Sequence, residues 1–159
     1  MKIGVVSDTH SRELPKSMME DLAKTDLIIH AGDFCSFKDY QAFSKLKEIK
    51  AVYGNMDEPQ LRRVLPRRQI FQCESVKIGL FHGEGPPQKL LEVMQKEFQG
   101  EKVDVIIFGH SHQALNQKIN GALYFNPGSP NDTIFAPYCS YGILEINKNK
   151  IDAKIIKLK

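Results

Sequence analysis

Residues 3–10 read Ile-Gly-Val-Val-Ser-Asp-Thr-His, an apolar run followed by an aspartate and a histidine two positions apart. Short apolar runs also precede four other groups of polar residues and glycines. These groups are Gly32-Asp33, Gly54-Asn55-Met56-Asp57, His82-Gly83 and Gly109-His110-Ser111-His112. Apolar runs of this length predict β-strands, and the ligand crevices of open α/β sheets lie at the carboxyl ends of their strands. The sequence therefore predicts that five strand ends deliver polar side chains to one edge.

The first half of the chain alternates predicted strands with predicted helices. Pro15 suits the first position of a helix, and Ser36 with Asp39 resembles a capping box for a second helix that ends near Lys47. A further helix is predicted over residues 88–98, where apolar side chains recur at helical spacing. This alternation is typical of an α/β fold.

The second half is predicted to consist mainly of strands. Asn120-Gly121 lies between two apolar segments and predicts a tight hairpin turn, and further hairpins are expected around 74–75 and 147–149. An additional strand is expected at residues 51–53. Strand–helix units followed by hairpins indicate two packed sheets with helices on their outer faces. Without a linker or an internal repeat, residues 1–159 are expected to form one domain.

The composition excludes several functional classes. The net charge of +3 is too small to indicate a nucleic-acid or membrane partner, and no interleaving of aromatic and basic residues predicts a nucleic-acid module. No apolar run reaches the ~18 residues that a membrane span requires. The N-terminus does not resemble a signal peptide, and three widely spaced cysteines do not suggest a disulfide framework. A cytoplasmic protein is expected.

The polar groups at the strand ends contain seven side chains that can ligate a metal ion. They are Asp8, His10, Asp33, Asn55, His82, His110 and His112. One carboxylate, such as Asp33, can offer an oxygen to each of two ions, and imidazoles suit Mn, Fe, Co, Ni and Zn better than Mg. A lone aspartate after a strand is more often a turn former or a helix cap. Because four of the five histidines fall in these groups, the combination predicts a pair of divalent transition metals.

The order and spacing of these motifs resemble the calcineurin-like metallophosphoesterase superfamily, with its D-x-H, G-D, G-N, H and G-H-x-H motifs. Asn126-Pro127-Gly128-Ser129 is similar to a feature of its small bacterial and archaeal members. The short chain most resembles the minimal YfcE-type phosphodiesterases, whose branch includes the retromer sorting subunit. The resemblance implies a four-layer α/β-β/α sandwich of two sheets flanked by helices.

The resemblance also implies a ligand assignment and an activity. Asp8, His10, Asp33 and His112 would hold one ion, and Asp33, Asn55, His82 and His110 would hold the other. A water or hydroxide that bridges the ions would attack phosphorus, and Asn55 would also contact a phosphate oxygen. The implied enzyme is a dinuclear metal-dependent phosphoesterase that favours small phosphodiesters. Mn²⁺ is the first expected ion, and Ni, Co, Fe and Zn are alternatives.

One position departs from the superfamily pattern. Many members carry a histidine after the Gly-Asn pair, where it can protonate the leaving oxygen, but this chain carries Met56. General acid catalysis contributes about 10²–10⁴-fold to a rate, and a thioether cannot supply it. Poor leaving groups should therefore react slowly, and the identity of any general acid stays open.

Other residues near the motifs have weaker signals. Asp57 is a candidate to orient a metal ligand or a turn carboxylate before Pro59, and His30 is a candidate for a buried hydrogen-bonding role rather than ligation. Arg12 is a candidate to bind the substrate phosphate, although exposure on a loop explains it equally well. The remaining arginines of this part of the chain could steer a phosphorylated substrate, but they are interpreted mainly as a solvated face: Arg62, Arg63, Arg67 and Arg68.

Two alternatives to a phosphodiesterase remain open. A phosphomonoesterase is disfavoured by Met56. A non-catalytic protein-interaction scaffold of the retromer-subunit type would be marked by loss of the ligating histidines, and here every expected ligand is present. The substrate and the native metal are not specified by the sequence, and a homo-oligomer would be common for such a fold.

Overall fold

A computed structural model describes every residue, 1–159. The helices are α1 (Lys16–Ala23), α2 (Phe37–Leu46), α3 (Pro59–Val64) and α4 (Leu90–Glu97), and a short 3₁₀ helix at Pro87–Lys89 precedes α4. The strands are β1 (Lys2–Val6), β2 (Leu27–His30), β3 (Ile49–Ala51), β4 (Arg68–Cys73), β5 (Val76–Phe81), β6 (Val105–Ile107), β7 (Leu115–Ile119), β8 (Ala122–Asn126), β9 (Ser140–Asn147) and β10 (Lys150–Lys157). None of the helices has the length and apolar character that crossing a membrane requires.

The strands form two mixed sheets of five strands each. The first has the order β10-β9-β1-β2-β3, in which β1, β2 and β3 are parallel and β9 and β10 form an antiparallel hairpin. The second has the order β4-β5-β6-β8-β7, in which β5, β6 and β8 are parallel and an antiparallel strand lies at each edge. Each sheet therefore has three parallel strands whose carboxyl ends share one edge.

Buried apolar side chains form three hydrophobic cores, one between the sheets and one on the outer face of each sheet. Between the sheets, Val5 of β1 and Ile78 of β5 belong to one core. Helices α1 and α2 cover the outer face of the first sheet through Leu22 and Phe43, and α4 covers the outer face of the second sheet through Met94. Full burial of such side chains contributes about 1.5–3 kcal/mol each. This packing is the four-layer sandwich that the motif resemblance implied, and the fold prediction is confirmed.

The central strands are covered on both faces, which explains their sequences. Four of the five residues of β1 and all four residues of β2 are buried. A parallel strand in such a position consists of a nearly unbroken apolar run, because neither face meets water. These runs lead directly into the polar groups, so each buried strand fixes the start of a loop that carries site residues.

Several local predictions are confirmed. The Ser36 hydroxyl accepts a hydrogen bond from the backbone amide of Asp39 and caps α2, as the sequence indicated. The turn at Asn120-Gly121 joins β7 to β8, and both turn residues have positive φ, 48° and 88°. That geometry suits a two-residue hairpin turn, in which Asn-Gly is favoured.

Two local predictions are incomplete or wrong. The strand expected at 51–53 instead spans Ile49–Ala51, because its pairing with β2 ends where Ala51 lies opposite His30. Tyr53 then bonds outside the sheet, to the carbonyl of Pro66. Helix α3 was not predicted, since it is only six residues long and buries a single side chain, so it carries no helical periodicity.

Candidate metal centre

The predicted ligands come together where the carboxyl ends of the two sheets meet. They arrive from β1 (Asp8, His10), β2 (Asp33), β3 (Asn55), β5 (His82) and β6 (His110, His112). The two sheets are joined directly at this point, because Nε2 of His10 lies 3.0 Å from Nε2 of His112, 102 positions along the chain. The strand ends of both sheets therefore bring these side chains into one cluster.

One group of possible ligand atoms is formed by Asp8, His10 and His112. Nε2 of His112 lies 3.3 Å from Oδ1 of Asp8, and Nε2 of His10 lies 3.9 Å from the same oxygen. All three donor atoms lie within 4.8 Å of one another. Two imidazole nitrogens and a carboxylate oxygen at such spacing can share one cation.

A second group is formed by Asp8, Asp33 and His82. Nε2 of His82 lies 3.4 Å from Oδ2 of Asp33, and the same oxygen lies 3.8 Å from Nε2 of His10. Asn55 extends the group, because its amide oxygen lies 3.1 Å from Nε2 of His82. Both carboxylates thus face histidines of both groups, as a pair of shared ligands would.

His110 completes the predicted set at the edge of this second group. Its Nδ1 lies 3.0 Å from Oδ1 of Asn55. All seven predicted ligands therefore occupy one continuous cluster.

The Asp8 carboxylate tests whether these residues fit a cation. Its Oδ2 accepts hydrogen bonds from the Ser7 hydroxyl at 2.6 Å and from the His110 amide at 3.0 Å. Its Oδ1 is buried and accepts no hydrogen bond, although the Nε2 atoms of three histidines lie 3.3–4.0 Å away. A buried charged oxygen without a partner is costly, and a divalent cation among these imidazoles would satisfy it. The donor set therefore fits a metal ion.

Three of the histidines are held by a protein acceptor on the ring nitrogen that faces away from the cluster. The acceptors are the Ala31 carbonyl for Nδ1 of His82 at 2.7 Å, the Gly85 carbonyl for Nε2 of His110 at 2.9 Å, and the Asp132 carboxylate for Nδ1 of His112. Such a bond fixes the tautomer and leaves the lone pair of the other nitrogen available for a metal. These imidazoles are therefore oriented for ligation.

The carboxylates and imidazoles also perturb each other's protonation. Burial lowers the pKa of His82, but Asp33 and Asp8 outweigh it and raise that pKa to about 9. Burial likewise opposes protonation of His112, but Asp8 and Asp132 raise its pKa to about 9. Burial raises the pKa of Asp8, but His112 and His82 outweigh it and lower the value to about 2. Without a metal, protons on imidazoles therefore balance the carboxylates.

The backbone at the site is unusual. Five of the seven predicted ligands adopt positive φ: Asp8 (56°), His10 (49°), Asp33 (60°), His110 (70°) and His112 (57°). Such conformations are disfavoured for residues with a side chain and cluster at functional sites. Close approach also requires glycine at 109, where a Cβ would lie 1.8 Å from the Ser7 hydroxyl oxygen. The loops therefore adopt backbone conformations that are locally unfavourable but place these side chains in the cluster.

Asp57 fastens the ligand loops through the backbone. Its carboxylate accepts hydrogen bonds from the amides of Asp33 (3.0 Å), Cys35 (2.7 Å) and Gly54 (2.7 Å). These contacts join the loop after β2 to the loop after β3. Asp57 thus supports Asp33 and Asn55 from beneath, but it does so without contacting a histidine.

His30 lies below the loops in a fully buried position. Its Nδ1 accepts a hydrogen bond from the Gly32 amide at 3.2 Å, and its Nε2 lies 3.2 Å from the Thr9 hydroxyl. The ring stacks on Phe34 at a centroid distance of 3.5 Å, and burial lowers its pKa to about 3. It is a neutral buried histidine that ties the β1 loop to the β2 loop.

Two supporting residues were missed by the sequence reasoning. Asp132 holds His112, but it lies in a loop that follows no simple motif. Arg62 of α3 donates to the carbonyls of Asn55 at 2.6 Å and Asp57 at 3.0 Å. Arg62 is exposed, as a residue of a solvated face would be, and its guanidinium also holds the loop that carries a predicted ligand.

Two clefts open beside the cluster. A cleft of about 460 Å³ lies over the ligands and is lined by Arg12, Met56 and Phe135 among others. A second cleft of about 230 Å³ contains Asn55 and His82 and extends towards Arg62, Arg67 and the rings of Tyr53 and Phe81. Asn55 borders both clefts.

Residues 1–149 match the profile of the calcineurin-like phosphoesterase superfamily domain. The chain belongs to this superfamily. A probable metallophosphoesterase of Methanothermobacter thermautotrophicus is 35% identical over 164 residues, covering 99% of this chain and 92% of the relative. A phosphodiesterase of Methanocaldococcus jannaschii is 32% identical over 143 residues, covering 80% of this chain and 83% of the relative.

A solved structure extends the comparison to the fold. Wild-type Vps29 of Entamoeba histolytica, complexed with Zn²⁺, matches with a TM-score of 0.76 at 24% identity and covers 99% of each chain. As a superfamily member, the protein is a metallophosphoesterase, a metal-binding hydrolase. Its family implies divalent metal ions, for which the cluster at the strand ends offers candidate ligands.

Proposed function

We propose that this metallophosphoesterase hydrolyses small phosphodiesters at a dinuclear metal site. The observation that carries the proposal is the pair of ligand groups built around Asp8 and Asp33. Two carboxylates that each face histidines of both groups suit two adjacent cations better than one. The unpartnered Oδ1 of Asp8 lies between the groups, where an ion would satisfy it.

The proposed ligand division is the one that the family resemblance implies. Asp8, His10, Asp33 and His112 hold one ion, and Asp33, Asn55, His82 and His110 hold the other. Mn²⁺ is the proposed ion, with Ni, Co, Fe and Zn as alternatives, because mixed imidazole and carboxylate donors suit these metals. When bound, two such ions supply an activated water nucleophile and offset charge on the phosphoryl oxygens.

A phosphodiester suits the shape of the site. Phosphorus in a diester carries two organic substituents, and clefts open on both sides of Asn55. Met56 lines the larger cleft and cannot protonate a leaving oxygen, which disfavours monoesters that lack a good leaving group. The phosphodiesterase relative of Methanocaldococcus jannaschii supports the same choice.

Two side chains are available to bind the phosphate. Nδ2 of Asn55 donates no hydrogen bond within the protein, while its Oδ1 faces His82 and His110. Its amide can therefore hold a phosphate oxygen. Arg12 lines the larger cleft, and its guanidinium makes one hydrogen bond within the protein, from Nη1 to the carbonyl of Asn131 at 3.4 Å. The rest of that guanidinium is free for a phosphate, whose geometry it matches.

The test combines metal analysis with a chromogenic assay. The Mn²⁺-loaded protein is assayed with bis(p-nitrophenyl) phosphate and p-nitrophenyl phosphate, beside an Asp33→Asn variant and an Asp152→Asn control. Asp152 lies exposed on β10 and pairs only with Lys154. Preferential diester hydrolysis, lost in Asp33→Asn and kept in the control, supports the proposal. A protein that binds Mn²⁺ but prefers the monoester would be a phosphomonoesterase, and one that binds no metal and hydrolyses neither would act as a scaffold.

A further inference from the structure

Large apolar side chains are exposed beside the metal centre. Five such residues are exposed on the protein, and three of them are Met56 (58%), Ile134 (74%) and Phe135 (74%). Met56 and Phe135 line the cleft of about 460 Å³, which is also lined by five of the seven predicted ligands, whereas Ile134 does not line it. Single exposed apolar residues are ordinary. A ring and a thioether that line the cleft over the predicted metal ligands are a different case, because a ligand bound in that cleft would contact them.

The backbone of Phe135 is fixed to the metal centre. Its amide donates to Oδ1 of Asp132 at 3.1 Å, and the amide of Ile134 donates to the same oxygen at 2.8 Å. Asp132 is only 2% exposed, and its other oxygen holds Nδ1 of His112. One buried carboxylate thus orients a predicted metal ligand and the residue that presents an exposed ring. The ring is therefore built into the site rather than carried on an unanchored loop.

We propose that Phe135 binds a planar aromatic group of the substrate, so that the preferred diesters carry an aryl group or a nucleobase. This inference rests on the proposed phosphodiesterase function and names the substrate class of the same site. An exposed phenylalanine offers a face on which a planar ring can stack, and such stacking tolerates any base. The thioether of Met56 is a suitable neighbour, since sulfur packs favourably near aromatic rings.

The size and polarity of the cleft agree with such a substrate. A volume of about 460 Å³ falls within the range of ~300–1,000 Å³ that is typical of small-molecule sites. Arg12 and Asn55 line the same cleft and can take the phosphate. The cleft thus combines cationic and metal-binding groups for a phosphate with an apolar wall for an attached ring.

Binding of two ligands that differ only in the base tests this inference. Adenosine 5′-monophosphate and ribose 5-phosphate are titrated calorimetrically into the Mn²⁺-loaded protein and its variants. The wild type should bind the adenosine compound more tightly. In Phe135→Ala its dissociation constant should rise on the order of 5- to 100-fold, as expected for loss of one base–aromatic stack, while that of ribose 5-phosphate stays unchanged.

The chain offers a matched control in the neighbouring residue. Ile134 has the same exposure but does not line the cleft, so Ile134→Ala should bind both ligands as the wild type does. Phe135→Tyr keeps the ring and should retain the preference for adenosine 5′-monophosphate. An equal change for both ligands, or no change in Phe135→Ala, would overturn the inference.

Hydrolysis of bis(p-nitrophenyl) phosphate by the same samples separates this inference from the proposed function. If the wild type hydrolyses the diester while Phe135→Ala leaves nucleotide binding unaltered, the phosphodiesterase proposal stands and the role of Phe135 is wrong. If Phe135→Ala weakens nucleotide binding but the wild type hydrolyses no diester, the ring binds bases as inferred and the phosphodiesterase proposal is wrong.

Discussion

Replacement of Asp132 by asparagine should weaken metal binding without removing a ligand. Oδ1 of Asp132 accepts hydrogen bonds from the backbone amides of Ile134 at 2.8 Å and Phe135 at 3.1 Å. The other carboxylate oxygen accepts a hydrogen bond from Nδ1–H of His112. In the variant, the amide oxygen stays with the two backbone donors and the NH₂ group faces His112. Since that group can only donate, Nδ1 must accept and the ring proton moves to Nε2. That nitrogen faces Asp8 and could no longer ligate.

The size of the loss in metal affinity follows from the second orientation that the side-chain amide at position 132 can adopt in the variant. If the amide flips to restore the tautomer of His112, its NH₂ group meets the two backbone N–H donors and both hydrogen bonds are lost. Each is worth about 1 kcal/mol, so reaching the conformation in which His112 can ligate costs about 2 kcal/mol. This corresponds to ~30-fold weaker binding, within the ~10–100-fold range known for residues that orient metal-binding histidines.

The assay is calorimetric titration of Mn²⁺ into metal-free wild type, Asp132→Asn and the Asp152→Asn control, which removes the same charge at an exposed site on β10. ¹⁵N chemical shifts of His112 report the tautomer directly. The reasoning is refuted if Asp132→Asn binds Mn²⁺ with unchanged affinity, or if the Asp152→Asn control loses as much affinity as Asp132→Asn.

Three further predictions concern the ligand loop, the imidazole protons and the leaving group. Arg62→Ala should lower kcat/KM for a diester ~10-fold, because two hydrogen bonds that hold the loop are lost. The control Arg63→Ala, at the exposed neighbouring residue, should leave kcat/KM unchanged, and equal effects of the two substitutions would contradict this prediction. The pKa values of His82 and His112 are raised to about 9, and only neutral imidazole ligates a metal. The affinity for Mn²⁺, measured by titration at each pH, should therefore rise from pH 7 to 9 and level off above pH 9. An affinity that does not change over this range would contradict the prediction. Met56→His should speed hydrolysis of poor leaving groups by far less than the ~10²–10⁴-fold limit of general acid catalysis, and a flat leaving-group series in the parent would show that another acid already acts.

The fold and the predicted ligands were accessible from the sequence for the same physical reason. A parallel strand buried on both faces is an unbroken apolar run, and the backbone turns towards the crevice directly after it. The apolar run at 3–6 therefore indicates a strand buried in the sheet, and the aspartate at 8 indicates a residue of the site. The same holds for the runs that precede Asp33, His82 and His110.

The supporting residues were less accessible because their contacts are set by how loops and short elements pack, not by a sequence pattern. Asp132 contacts His112 from 20 positions away, within a loop whose Asn-Asp sequence looks like an ordinary turn. Arg62 lies on a six-residue helix with one buried side chain, which leaves no periodic pattern. Asp57 was singled out, but its contacts with three backbone amides depend on how two loops pack. Tertiary packing decides such roles.

Anomalous X-ray diffraction from Mn²⁺-soaked crystals tests the dinuclear site most directly. We predict two manganese peaks per chain, ~3.5–4 Å apart as in other paired metal sites. One should lie against Oδ1 of Asp8 between His10 and His112, and the other against Asp33 and His82. A single peak at saturating Mn²⁺, or two peaks away from these side chains, would contradict the proposed centre.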